Sequence, residues 1–484
     1  MATARRRLPA AAALLVAAVV SAMLSAGAWA TGPGHDRADR GPVPPLTGDG
    51  RWLIDARGRV VVLHGVNEVT KRPPWHAAGA GFGRDDAQFI SEHGFNVVRL
   101  GVEFLALMPE PGVVDQAYVE ALAGVVRDLR REDLFVLLDF HQDGYGPKYG
   151  DNGFPEWMSL DDGIPNTNDP FPFYYILNAA LQRAFENFWA NAPGPGGIGL
   201  QDYYVQGLRA VVKRFAGDRS VLGYELLNEP WPGADFAPCF SGAGCPDIER
   251  SRLVPFYRKA TAVVRRITRT QQVFVEPFST FNFGLGPTTI PGSGSGNGLS
   301  THGYAGGASA ERFLAESITA AERDGAPLIV TEFGATTDAT ALRRNVGGFD
   351  QRGLSWIFWA YNENIIRDRT VPASLDALQS RPAFEALVEP YPQALTGVPS
   401  SSRFDPATRT YELAYVARSP GGRRYPPWLP SIVWVPRLQY ADGYRVEVSG
   451  AVVTSRPCAE RLKLRTRLFA RSVTVRVTPG GPCR

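Results

Sequence analysis

The chain has 484 residues, 51 of them basic and 48 acidic, for a formal net charge of +3, and 44% of it is hydrophobic. That length exceeds one compact core and suits a large domain joined to a small one. The near balance of charge argues against nucleic acid or a strongly acidic macromolecule as partner.

At the N-terminus, Arg5-Arg6-Arg7 precedes an Ala/Leu/Val run from about 8 to 24, and Ala28-Trp29-Ala30 follows as a small-x-small cleavage site. Residues 1–30 are therefore predicted to be a removable export signal, the run being too short and alanine-rich for a permanent anchor. A secreted, extracellular protein is expected. Residues 31–47, rich in Gly, Pro, Asp and Arg, are predicted to form a flexible leader. The four cysteines fit export and fall as two neighbouring pairs, Cys239 with Cys245 and Cys458 with Cys483. Zinc is the rival use for them, weakened because no histidine lies near either pair at ligand spacing.

Arg51 to Ile54 and Val60 to Leu63 form a short strand pair around a turn at Arg57-Gly58. Apolar runs then follow at 60–66, 95–102, 134–140, 221–228, 271–276, 299–304, 327–333 and 353–360. They alternate with helical periodicity at roughly 84–93, 115–131, 199–216, 250–268, 308–324 and 338–350. Eight strands with intervening helices predict an α/β fold, a (β/α)8 TIM barrel over 48–395. A doubly wound sheet shares that alternation but scatters its polar residues. Here His64, Asn67, Arg99, His141, Asp143, Asn228, Glu229, Glu276, His302, Tyr304, Glu332 and Trp359 sit at or just past the ends of their runs. Barrel topology gathers such positions on one face, and the first strand lacks a Gly-rich phosphate loop.

The insertion at 144–198 is predicted to be a long βα loop whose aromatics, Trp157, Phe171, Phe173, Tyr174 and Tyr175, with Met158, either line a groove or pack the loop down. Past Pro390, Pro392 and Pro399, helical periodicity stops. Alternating runs at 411–415, 431–435, 444–448 and 472–477 predict a small β-sandwich over 400–484.

The chemistry lies in two acids. Glu229 ends the run Val221-Leu222-Gly223-Tyr224-Glu225-Leu226-Leu227-Asn228 and precedes Pro230, which biases it away from helical angles. Glu332 ends Pro327-Leu328-Ile329-Val330-Thr331 before Gly334. Two strand-end carboxyls suit glycoside cleavage, with Glu229 as acid beside the Asn228 amide and Glu332 as nucleophile with Tyr304 and Arg99 as donors. Trp359 is a candidate platform for a sugar ring. The competing structural readings are a buried ion-pair partner for Arg99 and a satisfied core histidine for His64. No metal or cofactor is expected: His141-Gln142-Asp143 lacks a second histidine at metal spacing, and no Gly-x-Ser-x-Gly elbow is present.

With those residues in place, the chain resembles glycoside hydrolase family five, on Val98-Arg99, His141, Leu227-Asn228-Glu229-Pro230, His302-Gly303-Tyr304, Thr331-Glu332-Phe333-Gly334 and Trp359. Within it, the chain is similar to the endoglycoceramidases on His64-Gly65-Val66-Asn67 with Lys71, Asp139-Phe140-His141-Gln142-Asp143, Gly150-Asp151-Asn152-Gly153 with Pro155 and Trp157, and the all-β C-terminal domain. The resemblance implies a retaining hydrolase that cuts the β-linkage between sugar and ceramide in glycosphingolipids. It also implies that Glu229 is the acid/base and Glu332 the nucleophile, with Asn228, Arg99, His141, His302, Tyr304 and Trp359 around them and Lys71 and Asp143 on the sugar. The implied partner is a glycosphingolipid, with peripheral contact to lipid surfaces and no protein partner. Phe171, Phe173, Phe278, Phe281 and Phe283 are the candidate apolar wall. An extracellular endo-β-glucanase on the same barrel is the alternative enzyme; a non-catalytic carbohydrate- or lipid-binding surface protein is the alternative of another class.

Overall fold

The computed structural model describes residues 41–292, 295–366, 369–481 and 483; the export signal and residues 31–40 of the leader lie outside the described residues. Residues 41–47, read from sequence as part of the flexible leader, are pinned: Val43 N–H donates to Asp55 and the Gly41 carbonyl accepts from Arg59.

The chain opens with short strands β1 (Thr47–Asp49), β2 (Trp52–Ile54) and β3 (Val60–Val61). The barrel strands follow: β4 (His64–Glu68), β5 (Val97–Glu103), β6 (Phe135–His141), β7 (Val221–Glu225), β8 (Gln272–Val275), β9 (Gly298–Gly303), β10 (Leu328–Phe333) and β11 (Ser355–Phe358). They close in the order β10-β11-β4-β5-β6-β7-β8-β9, all parallel. The α/β barrel expected from the sequence rhythm is what forms. Parallel strands buried on both faces read as continuous apolar runs, which is why the rhythm was legible.

The main helices are α1 (Arg84–Glu92), α2 (Gln116–Arg131), α3 (Ala179–Trp189), α4 (Leu200–Phe215), α5 (Pro246–Arg265), α6 (Ala308–Asp324) and α7 (Ala339–Gln351). Outward strand residues such as Val98, Leu100 and Val102 join helix residues such as Leu122 and Val126 in one core layer. Helix α3 interrupts what the sequence presents as a single long loop. Asn178 caps it, accepting from Ala180 and Leu181 N–H, and Ala180, Leu181, Ala184, Phe185 and Phe188 bury one face.

Inside, the barrel is apolar at the bottom and ionic at the top. Val97, Leu137, Ile329 and Ile357 form the bottom layer, plugged by Leu53 and Val61 of the β2–β3 hairpin. His64 starts β4 at this bottom end, not at the polar face where its neighbours in sequence suggested. Its ring is stacked on Trp356 and Tyr391, with Nε2 3.1 Å from Asp350; it is a core histidine.

The C-terminal strands are β12 (Tyr391–Leu395), β13 (Val398–Asp405), β14 (Thr410–Val416), β15 (Ser431–Trp434), β16 (Tyr444–Ser449), β17 (Ala451–Val453), β18 (Arg461–Thr466) and β19 (Ser472–Pro479). They make two antiparallel sheets, β1-β2-β3-β12-β15-β18-β17 and β13-β14-β19-β16. Tyr411, Leu413 and Tyr415 of one sheet meet Val433, Leu462 and Leu464 of the other in their own core. The N-terminal hairpin, which chain position assigns to the barrel, is continuous with the first sheet through β3 and β12. Pro399, one of the prolines past which helical periodicity stops, lies in β13, an edge strand where it costs no ladder partner. Two disulfides are formed, Cys239–Cys245 and Cys458–Cys483.

Candidate active site

Arg99 is the hub at the top of the barrel. Alternation along β5 points Arg99 and Glu103 inward while Val98, Leu100 and Val102 face the helices. Its guanidinium is fully buried and reaches five strands' worth of side chains. Nε donates to Glu225 Oε2 at 2.5 Å, and Nη1 to Glu332 Oε1 at 2.5 Å and Asn67 Oδ1 at 2.9 Å. Nη2 donates to Asn228 Oδ1 at 2.7 Å and lies 3.0 Å from Asp139 Oδ1 and 3.6 Å from Glu276 Oε1. Arg99 is therefore an ion-pair partner and a site residue at once. Burial disfavours its charge, yet Asp139, Glu225, Glu332 and Glu276 outweigh that and raise its pKa further.

Glu332 is reached from three sides. Tyr304 OH donates to Oε2 at 2.8 Å, Arg99 holds Oε1, and His302 Nδ1 lies 3.5 Å from Oε2. The register of β9 against β10 shifts between Val330 and Glu332. This irregularity lets Thr331 and Glu332 both turn inward, Thr331 Oγ1 donating to Glu225 Oε1 at 2.9 Å. Burial pushes the Glu332 carboxyl up, while His302 and Arg99 pull it down.

Glu229 sits past the end of β7 with φ of 40°, a left-handed conformation instead of the extended one expected before Pro230. Two buried groups hold it there: its N–H donates to Glu276 Oε2 at 3.1 Å, and its carbonyl accepts from Gln142 Nε2 at 2.9 Å. Its Oε1 accepts from Asn282 Nδ2 at 3.1 Å and lies 2.7 Å from His302 Nδ1. One ligand atom from each of Glu229, His302 and Glu332 lies within 4.8 Å of the others, so the two carboxylates face each other across one gap.

Lys71, His141, Asp143 and Trp359 form a second cluster on the same face. Lys71 Nζ is 2.6 Å from Asp143 Oδ2 and 4.2 Å above the Trp359 ring. The His141 ring stacks on Trp359 at 5.3 Å, with Nδ1 on Asp139 at 2.7 Å and Nε2 on Asp143 at 3.1 Å. Burial disfavours the His141 cation, but Asp139 and Asp143 overcome it and push the ring up to about 10. Trp359 is 5% exposed and donates Nε1–H to Glu363 at 3.0 Å, so little of the expected platform is open.

Sequence reasoning missed several buried acids. Asp139 and Glu225 lie inside apolar runs and Glu103 directly follows one, and a charge in or beside such a run was the signal available. Burial opposes ionisation of Glu225, yet Arg99 brings it down to about 2; burial and the neighbouring Glu225 push Glu276 up, while His302 and Arg99 pull against them toward the ionised form. Burial pushes Glu103 up to about 8. Glu225, Glu276 and His302 also bring ligand atoms within 4.8 Å of one another, as a cation site would. The Arg99 guanidinium at the same carboxylates already supplies the positive charge there.

The aromatic wall divides. Phe171, Phe173 and Phe283 are exposed at 62%, 55% and 52%. Phe278 and Phe281, expected in the same wall, are instead core, packed on Trp189 and Phe313 because a one-turn helix over Ser279–Phe283 turns them inward. Met158, Tyr174 and Tyr175 are likewise buried, and Trp157 rests on Tyr203.

Comparison with known proteins gives two family matches: Cellulase (glycosyl hydrolase family 5) over residues 54–365 and the Glycoside hydrolase family 5 C-terminal domain over 390–477. The chain is 34% identical over 447 residues to Endoglycoceramidase I of Rhodococcus hoagii (strain 103S), covering 86% of this chain and 85% of that one. Among solved structures it resembles the lactosyl-enzyme intermediate of endo-glycoceramidase II from Rhodococcus sp., at a TM-score of 0.72 and 26% identity, covering 90% of this chain and 100% of that one. The ganglioside GM3 complex of the same Rhodococcus enzyme matches at a TM-score of 0.69 and 25% identity, with 91% and 100% covered.

Proposed function

The chain belongs to glycosyl hydrolase family 5 and is a glycoside hydrolase; from that premise we propose that it cuts the β-glycosidic bond between sugar and ceramide in glycosphingolipids, with retention. The observation that carries the retaining part is the gap between Glu229 and Glu332, whose facing oxygens lie within 4.8 Å. A double displacement needs carboxyl groups about 5–5.5 Å apart, whereas inversion leaves room for a water at roughly 6.5–9.5 Å.

In the first step Glu332 attacks the anomeric carbon, and Glu229 gives its proton to the leaving ceramide oxygen as that bond breaks. In the second, Glu229 takes a proton from water, whose oxygen displaces Glu332. Glu332 is oriented for attack by Tyr304 and Arg99. The Asn228 amide is fixed by Arg99 at its oxygen and by the Gln142 carbonyl at its nitrogen, leaving its second N–H for the hydroxyl beside the reacting carbon. Lys71, Asp143 and His141 provide charged partners for further hydroxyls.

Ceramide selectivity is supported by the rim. Exposed Phe171 and Phe173 lie on a segment whose Tyr175 OH accepts from Gly144 N–H, next to Asp143; exposed Phe283 follows Asn282, which bonds Glu229. Phe240, 42% exposed, packs on Trp231 two residues beyond Glu229. These are phenylalanines in place of the tryptophans of a polysaccharide cleft, and they suit an acyl chain and peripheral contact with a lipid surface. Export through cleavage after Ala30 belongs to the same reading, supported by the N-terminal pattern and the two disulfides. N-terminal sequencing of protein recovered from the medium checks it.

The decisive comparison is hydrolysis of a glycosylceramide against a soluble cello-oligosaccharide. Preference for the glycolipid supports the proposal, and preference for the oligosaccharide sinks the substrate assignment.

A further inference from the structure

Glu276 lies at the end of β8, fully buried beneath both catalytic carboxylates, with no role in the steps above. Its Oε2 accepts the Glu229 N–H at 3.1 Å. Its Oε1 faces His302 Nε2 at 3.3 Å as an ion-pair contact, and neither atom makes a well-aligned hydrogen bond among the described residues. The other ring nitrogen, Nδ1, is 2.7 Å from Glu229 Oε1 and 3.5 Å from Glu332 Oε2. Both nitrogens of His302 thus face carboxylate oxygens, and a ring that satisfies both is a donor on both sides. Because Glu229 Oε1 also accepts from Asn282, the acid proton belongs on Oε2, which leaves Oε1 open to the His302 N–H.

Taking Glu229 as acid/base and Glu332 as nucleophile, as above, we propose that Glu276 is a positioning residue that keeps His302 protonated on both nitrogens, so that its Nδ1–H follows the negative charge from Glu332 to Glu229 and back in each turnover. When Glu332 bonds to the anomeric carbon it becomes a neutral ester, and Glu229, having given its proton to the leaving oxygen, becomes the anion. The charge moves from one neighbour of Nδ1–H to the other, and the ring never has to move. Burial disfavours the ring's charge, but Glu276 and Glu332 outweigh it and hold the pKa well above its ordinary value. The groups facing this pair are Glu225 and Glu229 from and after β7, Arg99 from β5, Glu332 from β10, Tyr304 after β9, and Tyr257 from α5, whose OH donates to the Glu276 carbonyl.

Glu276→Gln tests this. If the glutamine oxygen keeps the Glu229 N–H, its NH2 group faces His302 Nε2 and forces that nitrogen to accept, leaving a neutral ring. The variant removes the Glu276 anion together with the ring's charge, but the ring is the group in contact with both carboxyls, at 2.7 and 3.5 Å, so its loss dominates, both pKa values rise, and both limbs of the kcat/KM pH profile move alkaline by roughly one unit. Unmoved limbs with a uniformly lower rate overturn the proposal. Imidazole nitrogen NMR on the wild-type protein, with only six histidines to resolve, is the second measurement. The signals lost in His302→Gln are expected to show both nitrogens protonated at neutral pH; a single protonated nitrogen overturns the proposal. Failure of the glutamate assignment shows separately, as residual turnover in Glu332→Gln, which the NMR result does not depend on.

Discussion

Arg99 and Glu332 meet in a buried ion pair, Nη1 to Oε1 at 2.5 Å, and the same guanidinium touches Glu225, Asp139, Asn67 and Asn228. A lysine offers one point charge and cannot reproduce this fork. Arg99→Lys is expected to lose at least about 100-fold in kcat/KM and to destabilise the fold by about 3–5 kcal/mol, as removing one partner of a buried ionic cluster does. Denaturant unfolding beside steady-state kinetics checks it; wild-type stability in the variant contradicts the hub.

Lys71 and Asp143 act as one unit, 2.6 Å apart. Lys71→Met and Asp143→Asn are each expected to raise KM about 10- to 100-fold with smaller changes in kcat. The double variant should cost scarcely more than either single one, since residues sharing a contact are non-additive. Additive losses measured in the cycle count against a shared sugar contact.

Stability should fall on the alkaline side. His141 is pushed up to about 10, so its contribution is fully present below its ordinary pKa near 6.5 and is lost as pH rises through about 10. Glu103, pushed up to about 8 by burial, has the same sign: its buried neutral form is free of penalty below about 4.5, and stability is lost as pH rises toward about 8. Thermal unfolding midpoints across pH are expected to decline less steeply for Glu103→Gln between pH 5 and 9 than for wild type. A steeper decline in the variant reverses the sign and refutes the assignment.

The exposed rim makes a substrate-presentation prediction. Phe171→Ser with Phe173→Ser is expected to cut the rate on a glycosylceramide in vesicles about 10-fold while leaving a soluble aryl glycoside unaffected, because the exposed rings touch no catalytic group. Equal losses on both substrates place these rings in the catalytic machinery instead.

Much of this was legible in the residues. The eight parallel strands announced themselves because burial on both faces leaves unbroken apolar runs, and Glu229, Glu332 and their supporters sit where those runs stop. Strand β18 was missed although Arg461-Leu462-Lys463-Leu464-Arg465-Thr466 alternates cleanly, because arginines and lysines on the solvent face masked the period. Phe278 and Phe281 were placed in the wall because aromatic composition does not say which way a one-turn helix faces. Asp139 and Glu225 show in the sequence only as charges inside apolar runs, and Glu276 only as one more run-end acid; Arg99 makes these buried carboxyls tolerable, and only the closed barrel brings it to them.

The pairing of the two glutamates across one gap is tested most directly by trapping. Incubation with a 2-deoxy-2-fluoro β-glycoside carrying a good leaving group, followed by peptide mass spectrometry, should find the sugar esterified to Glu332. Glu229→Ala should still form that adduct and have its turnover restored by azide. A sugar on any other residue, or a first-formed product of inverted configuration, contradicts the account.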